Sequence, residues 1–266
     1  MATAAQKRAA FRALHREGCF VIPNPWDVGS ARMLARLGFK ALASTSSGYA
    51  WTTGRPDYGI ERDDALTHLE QLCRAVDLPV NADFESGFAD DAEGVAASVQ
   101  FAVAAGVAGL SIEDRNREAG GALYDRATAL ARLRAARGAA GDAVLVARTE
   151  ALLDDPSQVK QAIASLVAFA AEGADCLYAP GVRKPQDIAA MVRAVAPKPL
   201  NVLAMDPAMT LAEYADLGVR RVSVGGGLAR VAWGAALAAA EGLSRGDFTA
   251  LAGGAPSRKI NGLFTG

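Results

Sequence analysis

The sequence reads as an α/β protein, a (β/α)8 TIM barrel, on three observations. Short apolar runs rich in β-branched residues recur along the chain, each followed by a stretch of Ala, Leu and Arg that suits a helix. The helix-like stretches close on Leu-Gly-Phe, Ala-Gly-Val, Glu-Gly-Ala or Leu-Gly-Val, which puts Gly38, Gly106, Gly173 and Gly218 where a left-handed residue ends a helix before the next strand. Composition does not shift along the chain, so eight such repeats predict one barrel domain over residues 1–266, with a doubly wound sheet as the alternative.

In order, strands are expected at residues 19–23, 41–45, 79–83, 109–113, 143–148, 176–179, 200–203 and 221–224. From about Gly242 the chain changes to Gly, Pro, Ser and Lys with isolated Phe248, Leu251, Ile260 and Phe264, a segment suited to packing on a neighbouring subunit. Hydrophobic residues at 51% against 21% charged supply a large core. The balance of 28 Lys and Arg against 29 Asp and Glu creates no field to gather a polyanion, so no nucleic-acid partner is expected. Cys19, Cys73 and Cys176 are far apart and form no Cys-x-x-Cys pair, which fits a reduced, cytoplasmic setting. The first residues lack the apolar core of a signal peptide, and no stretch suits a membrane span.

Chemistry in a barrel gathers at the C-terminal ends of the strands. The third strand ends Asn81-Ala-Asp83-Phe-Glu85-Ser-Gly87, and two carboxylates at alternate strand positions share a face. They repel unless a cation or proton intervenes, and hard oxygen ligands favour Mg2+ or Mn2+; a solvated acidic loop is the competing explanation. The fourth strand adds Glu113 and Asp114, and the fifth delivers Arg148, which can grip a carboxylate through two parallel hydrogen bonds or simply pair with the acids. After the second strand, Ser44-Thr-Ser-Ser47-Gly48-Tyr49 offers small hydroxyl residues and backbone N–H groups to an anion, and Asp57 lies on the loop that follows. His15 and His68 fall in expected helices and read as structural. A nucleophile elbow, a P-loop and a dinucleotide fingerprint are absent, and Gly225-Gly-Gly227 is too weak a motif to carry an assignment.

Taken in order, Pro23-Asn-Pro-Trp-Asp27, Ser47-Gly48, the Pro-Asp57 loop, Asp83-x-Glu85-x-Gly87, Ile-Glu113-Asp114 and Ala-Arg148-Thr-Glu resemble the isocitrate lyase and phosphoenolpyruvate mutase superfamily. The resemblance spans about Phe20 to Ala240. It implies a Mg2+ site (Mn2+ as a substitute) on Asp83, Glu85 and Glu113, with Glu85 where the family has a second Asp. It further implies that Ser47, Gly48 and Tyr49 hold the oxo and carboxylate groups of a small 2-oxo acid, that Arg148 anchors it, and that Asp57 sits near the reacting centre. Catalytic roles thus fall to Asp57, Arg148 and Glu113, with Tyr178, Asn201 and Arg230 as further substrate contacts.

The reaction so implied is carbon–carbon cleavage through a metal-stabilised enolate. Decarboxylation of oxaloacetate and P–C chemistry on phosphonopyruvate use the same handles. The family's lyases carry a Lys-Arg/Lys-Cys-Gly-His loop after the fourth strand, and this chain instead has Arg115-Asn-Arg-Glu118-Ala-Gly-Gly-Ala-Leu-Tyr124, without Cys or Lys. A non-catalytic, metal-dependent 2-oxo acid binder is therefore the reading from another class. Family members exchange a C-terminal helix between subunits, which implies a homodimer or homotetramer.

Overall fold

The computed structural model describes residues 2–117 and 119–265. Eight parallel strands form a nearly closed (β/α)8 barrel: β1 (Phe20–Ile22), β2 (Leu42–Ala43), β3 (Val80–Asp83), β4 (Gly109–Glu113), β5 (Val144–Arg148), β6 (Cys176–Tyr178), β7 (Leu200–Leu203) and β8 (Arg221–Ser223). Each lies inside or at the edge of an expected run. Seven ladders join neighbours round the ring, including β1 to β8. Between β1 and β2 there is no ladder; at that seam the Ala43 N–H donates to the Pro23 carbonyl at 3.0 Å.

The helices are α1 (Ala4–Leu14), α2 (Val28–Arg36), α3 (Ser46–Thr52), α4 (Arg62–Ala75), α5 (Ala92–Ala104), α6 (Arg126–Ala140), α7 (Ala151–Asp154), α8 (Val159–Ala171), α9 (Pro185–Val195), α10 (Leu211–Asp216), α11 (Gly227–Ser244) and α12 (Ser257–Gly262). Gly38, Gly106, Gly173 and Gly218 all take positive φ, the left-handed stop their positions predict. His68 is buried in α4, its ring stacked on Tyr49 at 3.9 Å, while His15 follows α1 and packs edge-on against Phe11 and Phe20.

Strand alternation separates two cores. Leu42, Ala82, Leu110, Leu145, Leu177 and Val202 face outward into the helices. Ile22, Ala43, Val144, Val146 and Cys176 fill the interior, where Phe11 of α1 is fully buried. A side chain at Gly109 would stand 2.7 Å from the Phe11 ring and 2.8 Å from the Val144 carbonyl oxygen, so glycine there makes room for the Phe11 ring. Above this plug lies a polar layer. The buried Arg221 donates from Nε to Asn201 Oδ1 at 3.0 Å and from Nη1 to Asn81 Oδ1 at 3.3 Å, and Asn201 donates to the Ser223 hydroxyl at 3.1 Å.

Beyond the barrel, α11 leaves Val231, Trp233 and Leu237 at 72%, 49% and 61% exposure, and Phe248, Leu251, Ile260 and Phe264 are exposed as well. The chain end returns to α2, where Arg36 donates to the Thr265 carbonyl. Among the described residues no helix is long and apolar enough to cross a membrane.

Candidate active site

Arg148, the last residue of β5, is the hub of the barrel mouth. Its Nη1 lies 3.2 Å from Asp83 Oδ1 and its Nε 3.4 Å from Glu113 Oε2, with the closest contact to Glu150 Oε1. Its guanidinium lies 5.3 Å from the centre of the Tyr178 ring, whose hydroxyl burial pushes up to about 12. Strand ends explain the convergence of Asp83, Glu113, Arg148 and Tyr178: each is the last residue of its strand, Glu113 pairs with Arg148 and Arg148 with Tyr178, while Asp83 pairs with Ser111, two residues before Glu113.

Asp83 is held from the other side by α3, accepting from the Ser46 N–H at 3.0 Å and the Ser46 hydroxyl at 2.9 Å. Glu113 accepts from the Tyr58 hydroxyl at 2.9 Å. Burial, reinforced by Glu150 and Asp83, drives its carboxyl well above the usual range despite Arg148. Asp114 is buried and raised to about 6 for the same first reason, although it accepts from the Glu150 N–H at 2.9 Å.

Glu85 departs from the sequence expectation. β3 ends at Asp83, the fully buried Phe84 follows, and Glu85 turns at φ +45° in the next bend, so the two acids are not alternate residues on one strand face. Glu85 is only 2% exposed, yet neither of its carboxylate oxygens accepts a hydrogen bond from the described residues; the nearest cation among them is Arg117 Nη1 at 3.5 Å. Burial foremost, then Asp83 and Asp57, push it up to about 8 against the pull of Arg117 and Arg148.

These donors suit a hard divalent cation in chemistry and charge. The two Glu85 oxygens lack a hydrogen-bond partner among the described residues, and the four acids Asp83, Glu85, Glu113 and Glu150 outnumber the three arginines Arg115, Arg117 and Arg148. They are not gathered round one point: among the described residues no group of three or more His, Cys, Asp or Glu is arranged to hold a metal, because Asp83 and Glu113 are turned onto Arg148.

Other expected contacts fall in different places. Ser47, Gly48 and Tyr49 form the first turns of α3 rather than an open loop. The Gly48 N–H points to the Thr45 hydroxyl at 3.3 Å, Ser47 Oγ is 3.1 Å from Thr45 Oγ1, and Tyr49 stacks on His68. Asn201 belongs to the buried Arg221 layer, and Arg230 is exposed on α11. Asp57 stands on the rim of a cavity of about 710 Å3, which Arg148 and Glu150 also line.

Sequence reasoning did not select Tyr58, Arg117, Arg115 or Glu150. Arg117 ties the loop after β4 to the loop before α4, donating to the carbonyls of Tyr58 at 2.5 Å and Ile60 at 3.0 Å. Arg115 holds Asp154 at 2.8 Å and the Gly121 carbonyl. Their clue was their place one and three residues past the strand-end acids. Glu118, in the same loop, lies outside the described residues.

Comparison with known proteins fits this geometry. A family model described as phosphoenolpyruvate phosphomutase matches residues 11–244. An oxaloacetate decarboxylase from Rhodopseudomonas palustris (strain BisB5) is 31% identical across 97% of this chain and 89% of its own length. A crystal structure of a lyase/mutase candidate from Burkholderia cenocepacia J2315 superposes with TM-score 0.93 at 46% identity, covering 98% of this chain and 97% of that one. A 2,3-dimethylmalate lyase, itself a member of the PEP mutase/isocitrate lyase superfamily, superposes with TM-score 0.81 at 28% identity over 92% of this chain and 88% of its own. The chain thus belongs to the phosphoenolpyruvate phosphomutase family, within the PEP mutase/isocitrate lyase superfamily.

Proposed function

We propose that this chain is a Mg2+-dependent lyase that breaks a carbon–carbon bond next to the oxo group of a small 2-oxo acid or related di- or tricarboxylate. The observation that carries the reading is Glu85, a buried carboxylate with no hydrogen-bond partner among the described residues, in the bend after β3, where its backbone carbonyl accepts from the Glu113 N–H at 3.0 Å. Asp83, Glu85 and Glu113 would hold Mg2+, or Mn2+ in its place. When bound, the metal supplies a Lewis acid that draws electron density from the substrate's oxo and carboxylate oxygens.

The chain's own residues do the rest. Arg148 grips the substrate carboxylate, and its three acidic partners fix its fork beforehand, so little orientational freedom is lost on binding. The Tyr58 hydroxyl holds Glu113 in place, and Ser46 holds Asp83. Asp57, on the rim, is placed to exchange a proton with the carbon that loses its bond. The relatives named as a decarboxylase and a 2,3-dimethylmalate lyase support cleavage beside a carboxylate.

Oxaloacetate decarboxylation and P–C cleavage of phosphonopyruvate use the same groups. A metal-dependent binder without turnover is favoured by one observation, the loop after β4 that has neither Cys nor Lys. The exposed apolar face of α11 supports helix exchange in a homodimer or homotetramer, and three free cysteines suit the cytoplasm.

The test is a Mg2+-dependent product assay on oxaloacetate, 2-methylisocitrate, isocitrate and phosphonopyruvate, beside the Asp83→Ala variant. Turnover lost at least about a hundredfold in the variant is expected. Absence of turnover together with absence of Mg2+-dependent binding of any 2-oxo acid would sink the reading.

A further inference from the structure

The cavity at the barrel mouth is larger than a four-carbon acid needs. Oxaloacetate has nine heavy atoms, and even at the ~30 Å3 that a water molecule takes in the liquid these fill about 270 Å3. The cavity measures about 710 Å3.

Its lining indicates what fills the remainder. Phe88, Ala89 and Leu153 contribute apolar surface. Phe88 sits at φ +52°, a conformation bulky residues rarely adopt and one that persists where the surroundings over-determine it. Its ring is fixed edge-on to Phe84 at 5.1 Å and beneath Arg117 at 5.4 Å. Leu153, in the short α7, is left 44% exposed at the cavity wall. The loop after β4 adds Gly120 and Gly121 to the same lining; a Cβ at Gly120 would meet no heavy atom within 4 Å.

Charge argues against a second carboxylate on the substrate. Among the described lining residues stand five acids, Asp57, Glu61, Asp90, Glu150 and Asp154, and only three arginines. Two of those are committed inside the protein, Arg117 to the Tyr58 and Ile60 carbonyls and Arg115 to Asp154 and the Gly121 carbonyl. Arg148, itself paired with Asp83, Glu113 and Glu150, can hold at most one substrate carboxylate, and a further anion would enter an already negative wall.

From this we infer the substrate class: a 2-oxo acid with a single carboxylate and a bulky apolar tail, branched or aromatic, seated against Phe88, Ala89 and Leu153. The inference rests on the 2-oxo acid reading above and narrows it, making di- and tricarboxylates the poorer ligands of the same site.

Calorimetric titration of the whole protein in Mg2+ with pyruvate, 2-oxoglutarate, 4-methyl-2-oxopentanoate and phenylpyruvate separates the two claims. The branched and aromatic acids should bind about tenfold or more tightly than 2-oxoglutarate, which is close in size but ends in a carboxylate. Leu153→Asp, at a position 44% exposed, should lower that preference at least about fivefold, and Phe88→Ala should lower it too. Equal or tighter binding of 2-oxoglutarate, or a preference unmoved by both substitutions, overturns the inference. If pyruvate and 2-oxoglutarate bind and the apolar acids do not, this inference alone fails; if no 2-oxo acid binds in a Mg2+-dependent way, the reading beneath it fails as well.

Discussion

Arg148 shows how one residue's partners set the behaviour of the site. Its guanidinium neutralises Asp83, Glu113 and Glu150 at once, so replacing it leaves three carboxylates facing one another in a largely dry setting. Arg148→Ala should cost about 3–5 kcal/mol in chemical denaturation without metal, and added Mg2+ should restore more stability to the variant than to the parent. The histidines set an acid limit. Burial lowers His68 from 6.5 to about 4, so between those values the unfolded chain takes up a proton that the folded chain refuses. The contribution of this residue is therefore fully present above pH 6.5 and is lost as the pH drops toward 4, by about 3 kcal/mol. His15, lowered to about 4 by burial and Arg221, adds to the same window. His68→Phe keeps a ring against Tyr49 and should flatten the slope measured by urea denaturation between pH 4 and 6.5. At this scale the strand-end acids and Arg148 were legible because they follow apolar runs. Glu85's left-handed turn and Tyr58's reach to Glu113 were not, because both depend on loops whose course is set by contacts distant in sequence.

Among the elements, α3 is the one the site leans on most. Thr45 caps it through the Gly48 N–H, and its first residue, Ser46, holds Asp83 with two hydrogen bonds. A Cβ at Gly48 would stand 2.6 Å from Thr45 Cγ2, 3.0 Å from Trp26 Cβ and 3.3 Å from Ala229 Cβ. Gly48→Ala should therefore displace α3, lower thermal stability by about 1–3 kcal/mol and weaken Mg2+ binding through Asp83. Strand and helix order could be read from the apolar runs and the glycines that end helices. The Ser-Thr-Ser-Ser-Gly run hid a helix start because the hydroxyl and glycine residues that favour turns also favour N-caps.

At the scale of the whole molecule, α11 and the tail present an apolar surface that a lone barrel leaves to water. Sedimentation should show an oligomer for the parent chain, and Trp233→Asp, at a position 49% exposed here, should shift the population toward monomer without loss of helical content. The barrel's cyclic order was legible from eight repeats, whereas its interior was not: Arg221 is buried with two asparagines and, among the described residues, no carboxylate within salt-bridge distance, an arrangement that apolar periodicity does not announce.

The seam between β1 and β2 makes the ring unequal round its circumference. Seven joints are laced by ladders and one by the backbone bond from Ala43 to Pro23 and the Asn24 side chain donating to the Ser44 carbonyl at 2.9 Å; Ser44 in turn accepts from the Asp83 backbone N–H. Thermal opening of the barrel should begin there, so that amides of β2 exchange with solvent sooner than those of β4 and β5. Such breathing would loosen the Ser44–Ser46 side of the mouth and with it the two hydrogen bonds by which Ser46 holds Asp83, so the site's order depends on the least laced joint of the ring.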